Sequence, residues 1–210
     1  MKLPFIFFLS IATLFYTGCS QSKKEAPQTA QATDLQVVEL LGDKGELRLP
    51  KGYKRTSRYR IEEDMPELAQ DSIRLLLMQN RLAAMEFDDA EIDVFYDTLS
   101  RFHHLSITDL EFMPFDRTIA AALNQELKKA SQQLEREVPI LKIEHESPKY
   151  RRGNPITYMK FKQKITNLET EEVIYMSTYL VRSQIRFYAI NEVSETEIDV
   201  EDSIWTLRDE

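Results

Sequence analysis

The residues of this 210-residue chain that could act as acids, bases or metal ligands are few and scattered. Its three histidines are His103, His104 and His145. A metal ion needs ligands that converge from one side, and neighbours in a regular element diverge, so His103 and His104 supply at most one ligand unless they lie in a loop. His145 is flanked by Glu144 and Glu146, which is typical of a solvated strand end. We therefore predict no metal site and no cofactor.

Motifs for nucleophilic catalysis or phosphate binding are absent from the sequence. Such motifs need closely spaced glycines around the reacting group, whereas the five glycines stand at positions 18, 42, 45, 52 and 153. Asp88, Asp89, Glu91 and Asp93 are the one group that could supply the paired carboxylates of a glycosidase. Acidic residues near turns also serve solubility alone. We predict a protein that is not an enzyme, and keep as the alternative a hydrolase whose carboxylates or histidines converge only in three dimensions.

A local basic patch contrasts with the acidic chain, whose formal net charge is -8. The residues predicted to contact a partner are Arg151, Arg152, Lys160, Lys162 and Lys164. They favour an acidic protein or a glycan as partner, while the net negative charge of the whole chain disfavours nucleic acid. The other interpretation is that lysines on an exposed edge strand discourage pairing with other chains.

The first part of the chain is predicted to form a hairpin, followed by a segment that contains both a helix and strands. Residues 35–41 and 46–49 alternate around a Gly-Asp-Lys-Gly turn, which predicts two strands. Pro50 and Gly52 end the second strand. A helix is predicted at about 66–80, although Leu75 to Met78 also fits a buried strand, and further strands are predicted at 82–87 and 91–99.

The residue pattern in the second part of the chain predicts a long helix followed by consecutive strands. Asp116 is the expected cap of the helix, which Pro139 stops. Strands are predicted at 141–146, 158–165, 173–182 and 184–193, with a turn at 148–155, and short links make such strands an antiparallel meander. Tyr175, Tyr179 and Tyr188 are expected to share its wetter face, either as a binding platform or, the favoured interpretation, packed against a covering helix. The Ser-x-x-Glu pattern at Ser194 predicts a C-terminal helix.

The first 19 residues have the anatomy of a signal peptide. A short basic start is followed by an apolar run from Leu3 to Phe15, which is too short to cross a bilayer, and by Gly18 and the single cysteine, Cys19. Tyr16 to Cys19 resembles the bacterial lipobox. That resemblance implies that residues 1–18 are removed and that Cys19 carries diacylglycerol and an amide-linked acyl chain such as palmitate. Acyl chains of this kind hold a protein on a membrane.

Residues 19–34 are predicted to be the lipidated cysteine and a flexible tether. Residues 20–33 contain Ser, Gln, Lys, Ala and Thr but no large apolar side chain, so they cannot form a core. In the enteric sorting rule for lipoproteins, an aspartate directly after the lipidated cysteine favours retention in the inner membrane. This chain has Ser20 at that position. The resemblance to lipoproteins therefore implies an outer-membrane location, on the periplasmic or the surface side. Residues 35–210 are predicted to form one α+β domain.

The order of elements resembles the PsbP/Mog1-like family. The shared pattern is a hairpin ending in Leu-Pro-x-Gly-aromatic at residues 49–53, a long helix, antiparallel strands and a short closing helix near Ile204. The resemblance implies an antiparallel β-sheet flanked by helices, an α/β/α sandwich, in a binding or assembly domain without a shared catalytic motif. We therefore expect a lipid-anchored binding module of the cell envelope, with an envelope hydrolase as the alternative and a spacer without a ligand as a third reading.

Overall fold

The computed structural model describes residues 35–56, 92–100, 103–111 and 115–209. In chain order the elements are β1 (Leu35–Leu40), β2 (Gly45–Pro50), β3 (Tyr53–Thr56), β4 (Ile92–Asp97), β5 (His104–Leu110), α1 (Arg117–Glu137), β6 (Leu141–His145), β7 (Lys149–Arg152), β8 (Thr157–Asn167), β9 (Val173–Arg182), β10 (Phe187–Ser194), α2 (Glu201–Ile204) and β11 (Arg208–Asp209). The predicted signal peptide, Cys19, the tether, the helix at 66–80, the strand at 82–87 and Asp88, Asp89 and Glu91 lie outside the described residues.

Eight strands form one antiparallel sheet at the centre of the described domain. Their order is β3-β4-β5-β10-β9-β8-β6, and β7 pairs with the part of β8 that β6 leaves free. The three longest strands, β8, β9 and β10, are consecutive neighbours, which confirms the predicted meander. Strand β5 pairs with β10 and so brings β4 and β3 into the same sheet. The prediction of an α+β fold built on an antiparallel sheet is confirmed.

Helix α1 covers one side of this sheet. Asp116 caps it as predicted, because its carboxylate accepts a hydrogen bond from the backbone N–H of Ile119 at 2.9 Å. The apolar side of α1, with Ala120, packs on side chains from the sheet and the preceding loop, which we call the helix face: Phe115, Met159, Phe161 and Phe187. Of the two described helices, neither combines the length and the apolar character that a bilayer-crossing helix needs.

The opposite side of the large sheet packs on a second, three-stranded sheet. Its order is β1-β2-β11, and α2 lies beside it. Side chains from both layers form the main core: Leu40, Leu47, Leu49, Phe95, Ile107, Tyr158, Tyr179, Tyr188, Ile190, Val200, Ile204 and Leu207. We call this side the charged face, because Lys160, Lys162 and Glu192 also lie on it. In the described residues the second layer is therefore a small sheet with one helical turn, and the fold is richer in sheet than a sandwich of two helical layers.

The end of the chain differs from the predicted C-terminal helix. Ser194 does not begin a helix. It is the last residue of β10, pairs with Tyr175 of β9, and donates its hydroxyl to the carbonyl oxygen of Thr196 at 2.6 Å. The helix is the single turn α2, and Val200 rather than Ser194 precedes it. The ladder to β9 continues through the Ser-x-x-Glu pattern because Val193 and Ser194 are buried, so tertiary packing overrides the local capping preference.

Three strands of the large sheet, β3, β5 and β7, are not predicted by the sequence pattern, and β3 begins at Tyr53, directly after the predicted turn at Pro50 and Gly52. Residues 149–152, inside the predicted turn at 148–155, form β7, which pairs with β8 from Lys149 opposite Lys160 to Arg152 opposite Thr157. Strand β5 is central and buried on both sides. Its polar residues Ser106 and Thr108 interrupt the apolar run that would indicate a central strand.

Candidate functional site

The lysines of β8 lie in the interior of the sheet. Strand β8 pairs with β9 along one side and with β6 and β7 along the other, so it is not an edge strand. The interpretation of its lysines as edge protection is therefore wrong. Lys160 is only 3% exposed, and its Nζ lies 2.7 Å from a carboxylate oxygen of Asp199 and 3.9 Å from one of Glu201. Its ammonium group also lies 5.1 Å from the centre of the Tyr179 ring, a distance at which a cation is attracted to the ring face.

Both carboxylates beside Lys160 belong to one short segment, residues 195–202, which we call the acidic strap. It contains Glu195, Glu197, Asp199, Glu201 and Asp202. The strap crosses the charged face after β10, and Val200 within it is buried in the main core. The acidic partner that the basic strand needs is thus supplied by the chain itself.

Lys162 makes the second attachment of the acidic strap. It donates to Glu197 of the strap, and its Nζ lies 2.9 Å from Glu146, which follows β6. Burial of the Lys162 ammonium would lower its pKa, but the hydrogen bonds to Glu197 and Glu146 outweigh this and raise the pKa. Lys162 therefore stays charged and holds two segments of the chain together.

Three tyrosines lie on the charged face, Tyr158 and Tyr179 against the strap and Tyr188 against the small sheet. The Tyr179 hydroxyl donates to Asp199 at 2.9 Å, and the Tyr158 hydroxyl donates to Glu201. Burial, followed by the carboxylates nearby, raises the pKa of all three phenols well above the ordinary value, so they remain donors. Tyr179 and Tyr188 are fully buried. The expectation that they lie on a wetter face of the sheet is wrong, because the small sheet and the strap cover that face.

Asp199 is the centre of this network. Burial would raise its pKa, but hydrogen bonds from Lys160, from Tyr179 and from the backbone N–H of Glu201 lower it. A carboxylate with three donors is strongly biased towards its charged form. Asp199 therefore stays ionised and is bound to β8, β9 and the first turn of α2.

Glu192 of β10 lies on the same face and has no such partners. It is 2% exposed, and neither of its carboxylate oxygens has a hydrogen-bond partner among the described residues. Burial, then the charge of Asp199, raises the pKa of Glu192 to about 7, although Lys160 and Lys162 act in the opposite direction. A buried carboxylate without hydrogen bonds is costly when it is charged, so Glu192 changes its protonation near neutral pH.

A group of exposed basic residues lies at a different place, around the start of α1. Arg117, Arg151 and Arg152 line an open cleft of about 670 Å³ together with Asp116, Thr118 and Tyr150. All three arginines are exposed, and within the described part of the chain none of them forms an ion pair. We call this feature the arginine cleft.

Tyr150 forms the floor of the arginine cleft. Its ring centre lies 6.1 Å from that of Phe115 on the helix face, which holds the ring in place. The guanidinium carbon of Arg117 lies 6.0 Å from the same ring centre, within the range of a cation–π contact. Asp116, the one acidic residue in the lining, is already bound to the backbone of Ile119. The arginines therefore keep donors available for a ligand.

The five predicted contact residues thus fall into two groups. Lys160 and Lys162 are buried and paired with the strap. Lys164 is 43% exposed in its side chain and lies 4.0 Å from Glu144. Arg151 and Arg152 belong to the arginine cleft, which Arg117 completes.

Comparison with known proteins gives a likeness to solved structures alone. No family model matches the chain, and no curated protein matches it significantly. Among solved structures, the chain is similar to the solution structure of cyanobacterial PsbP (CyanoP) from Synechocystis sp. PCC 6803, with 12% identity and a TM-score of 0.44 over 89% of this chain and 98% of that chain. The likeness is weak, and no residue role follows from it.

The histidines do not converge on one site. His103 and His104 are consecutive, and both are buried; His103 lies 3.6 Å from Asp97. His145 lies beside α1, and burial and the charge of Lys128 lower its pKa. In the described ranges no group of three or more His, Cys, Asp or Glu side chains is arranged to hold a metal ion. A site that includes Asp88, Asp89 or Glu91 lies outside the described residues.

Sequence reasoning missed two residues that matter here. Arg117 is a basic residue in the first turn of α1, where the helix dipole favours acidic residues. A charge that is unfavourable for the helix indicates that Arg117 has a role other than helix stability. Glu192 continues the inward register of Tyr188 and Ile190 on β10. An acidic residue at an inward position of an apolar strand is the pattern that would have indicated it.

Proposed function

We propose that this protein is a lipid-anchored binding or assembly module of the bacterial cell envelope, without enzymatic activity, which holds an acidic protein or glycan in the arginine cleft. The observation that carries the proposal is the exposure of Arg117, Arg151 and Arg152 around one cleft, without ion pairs among the described residues. Lys160 and Lys162 of β8 are engaged within the chain, whereas the arginines of the cleft are exposed to an external partner.

The contrast between the basic cleft and the acidic chain supports binding of acidic ligands at the cleft rather than over the whole surface. The chain is acidic overall, with 35 Asp and Glu against 27 Lys and Arg. Tyr150 and Arg152 face the same side of β7, and Arg117 lies over the Tyr150 ring, so an acidic ligand in the cleft can accept bidentate hydrogen bonds from Arg117 and Arg152. Tyr150 adds an aromatic surface on which a sugar ring or an apolar side chain can lie.

Attachment to the membrane is supported by the sequence. The apolar run from Leu3 to Phe15, Gly18 and Cys19 together form the lipobox pattern, and residues 20–33 provide a polar tether. We propose that Cys19 carries the lipid and that the protein resides at the outer membrane. An anchor and a tether allow the cleft to find a partner within a limited distance of the membrane.

The finer description of the fold is part of the same proposal. We propose that the domain is a PsbP/Mog1-like sandwich. The support is the hairpin of β1 and β2 that ends at Pro50, the long helix α1, the strands β8 to β10, and the closing turn α2. The three-stranded sheet takes the place of one helical layer in the described residues.

A photo-crosslinking amino acid at position 118 tests the arginine cleft in intact cells. Thr118 lines the cleft and is exposed, so a crosslinker there lies beside any bound ligand. We expect an adduct whose mass identifies a protein or a glycan. Arg152→Glu should reduce its yield about tenfold or more, since charge-assisted contacts contribute roughly 1.5–3 kcal/mol each.

The matched control is Lys164→Glu, which makes the same charge change at an exposed cation on the other face of the sheet. It should leave the adduct unchanged. Equal adduct yields from the unsubstituted protein and from Arg152→Glu would contradict the arginine cleft as the binding surface.

A further inference from the structure

The buried carboxylate of Glu192 has no role in the proposed binding surface. In the ladder, Glu192 is opposite Leu105 of β5 on one side and Ser177 of β9 on the other. Both neighbours are buried, and both carboxylate oxygens lack a hydrogen-bond partner within the described residues. A side chain that is 98% enclosed and unbonded is costly to keep as an ion, so its protonation state is coupled to the structure around it.

Charged and titratable groups face Glu192 from every described element packed against it. They are Lys160 and Lys162 from β8, Tyr179 from β9, Tyr53 from β3 and Asp199 from the acidic strap. The two lysines are the same groups that bind Asp199 and Glu197 of the strap. Glu192 therefore shares its cations with the strap.

We propose that Glu192 controls the attachment of the acidic strap: when it is neutral, Lys160 and Lys162 hold Asp199 and Glu197, and when it loses its proton, its charge repels Asp199 and competes for both lysines. The strap is then held less tightly on the charged face. The competition follows from geometry, because Lys160 and Lys162 already pair with four carboxylates, those of Asp199, Glu201, Glu197 and Glu146, and an ionised Glu192 is a fifth.

The acid–base properties of these groups place the change near neutral pH. Burial raises the pKa of Glu192 to about 7, whereas Lys162 keeps Glu197 at a pKa below its ordinary value and Lys160 does the same for Asp199. Glu197 and Asp199 are thus ionised throughout the range in which Glu192 titrates. His103 lies beside Asp97 rather than in this cluster.

Hydrogen exchange of the whole chain between pH 6 and pH 8.5 tests this proposal. After correction for the intrinsic pH dependence of amide exchange, we expect the protection factors of amides 197–201 to fall about tenfold as the pH rises. Tenfold is the change produced by a difference of one unit between the pKa of Glu192 with the strap attached and with it detached. The protection of the core strand β9 should change less. Glu192→Gln, which keeps the shape and stays neutral, should remove the pH dependence of the strap.

The control variant is Glu169→Gln, which removes a carboxylate from the exposed turn after β8 and should retain the pH dependence. A direct readout that needs no variant is the carboxyl carbon resonance of Glu192 in the unsubstituted protein, which should titrate near neutral pH. Strap protection that does not depend on pH, or that depends on pH equally in Glu192→Gln, would overturn the proposal. So would a Glu192 resonance that titrates at the ordinary glutamate value.

Discussion

The ammonium group of Lys160 lies 2.7 Å from the carboxylate of Asp199, and this pair joins the middle of the large sheet to the segment that closes the domain. The Lys160 side chain is 4% exposed, while that of Asp199 is about half exposed. The buried partner determines the energetic consequence, because a buried ammonium group needs its counterion and a buried carboxylate cluster needs its cation.

Lys160→Met tests the contribution of this pair to stability. The substitution keeps the length of the side chain but leaves Asp199, Glu201 and Glu192 without their shared cation. We expect a loss of about 2–3 kcal/mol in the free energy of unfolding, measured by urea denaturation. Lys164→Met, at a half-exposed position on the same strand, should change it by less than about 0.5 kcal/mol. Equal effects of the two substitutions would show that the buried pair contributes nothing specific.

The pH dependence of global stability follows from Glu192. Its pKa is about 7 in the folded protein, above its ordinary value of 4.5, so between these values the folded state binds a proton that the unfolded state has released. The contribution of Glu192 to stability is therefore complete below pH 4.5 and is lost as the pH rises towards 7. The loss is about 3 kcal/mol, and above pH 7 it stays constant.

Glu192→Gln separates this effect from those of other groups. The variant should lack the decrease between pH 4.5 and 7 and should be more stable than the unsubstituted protein at pH 8, when both are unfolded with urea. A decrease of the same size in the variant would assign it to other groups.

The positions of the strands could be predicted from alternation, but the environment of their polar residues could not. Tyr158, Lys160, Lys162 and Lys164 alternate with apolar residues and have the pattern of a strand with one solvated face. Residues 195–202 cover that face, and their carboxylates come more than thirty residues later in the chain. A periodic pattern reports which residues share a face, whereas the covering of that face depends on contacts distant in sequence.

The arginine cleft was predictable only in part, for a similar reason. Arg151 and Arg152 are adjacent and basic, so they attract attention in the sequence. Arg117 joins them because β7 pairs with β8 and thereby lies beside the start of α1. Strand β7 occupies a stretch with turn residues on both sides, so local preferences do not indicate it.

Replacement of Cys19 by serine tests the proposed membrane attachment. Each buried methylene of an acyl chain contributes about 0.8 kcal/mol to membrane binding, so two or three chains hold a protein essentially permanently. We expect Cys19→Ser to move the protein from the membrane fraction to the soluble envelope fraction, and mass spectrometry of the unsubstituted protein to show the lipid. Ser20→Ala is the neighbouring control and should stay with the membranes. Retention of Cys19→Ser on membranes would contradict the lipid anchor.

Gly153 connects the arginine cleft to the closing segment of the chain, and its substitution tests that connection. A Cβ atom at Gly153 would lie 2.6 Å from Cζ3 of Trp205 and 2.9 Å from the carbonyl oxygen of Ile156, so either the ring or the turn must move. We expect Gly153→Ala to lower the free energy of unfolding by about 1–3 kcal/mol. Because Arg152 immediately precedes Gly153, the crosslinking yield at position 118 should also fall.

A double-mutant cycle with Trp205→Ala isolates the contact between the glycine and the ring. The Trp205 side chain packs edge-on against Tyr158, with ring centres 5.3 Å apart, so its removal has a cost of its own. The alanine at 153 should cost less when the indole is absent, with a coupling of at least about 0.5 kcal/mol in urea denaturation. Additive costs would assign the strain to the carbonyl oxygen of Ile156, and the turn rather than the ring would then position Arg151 and Arg152.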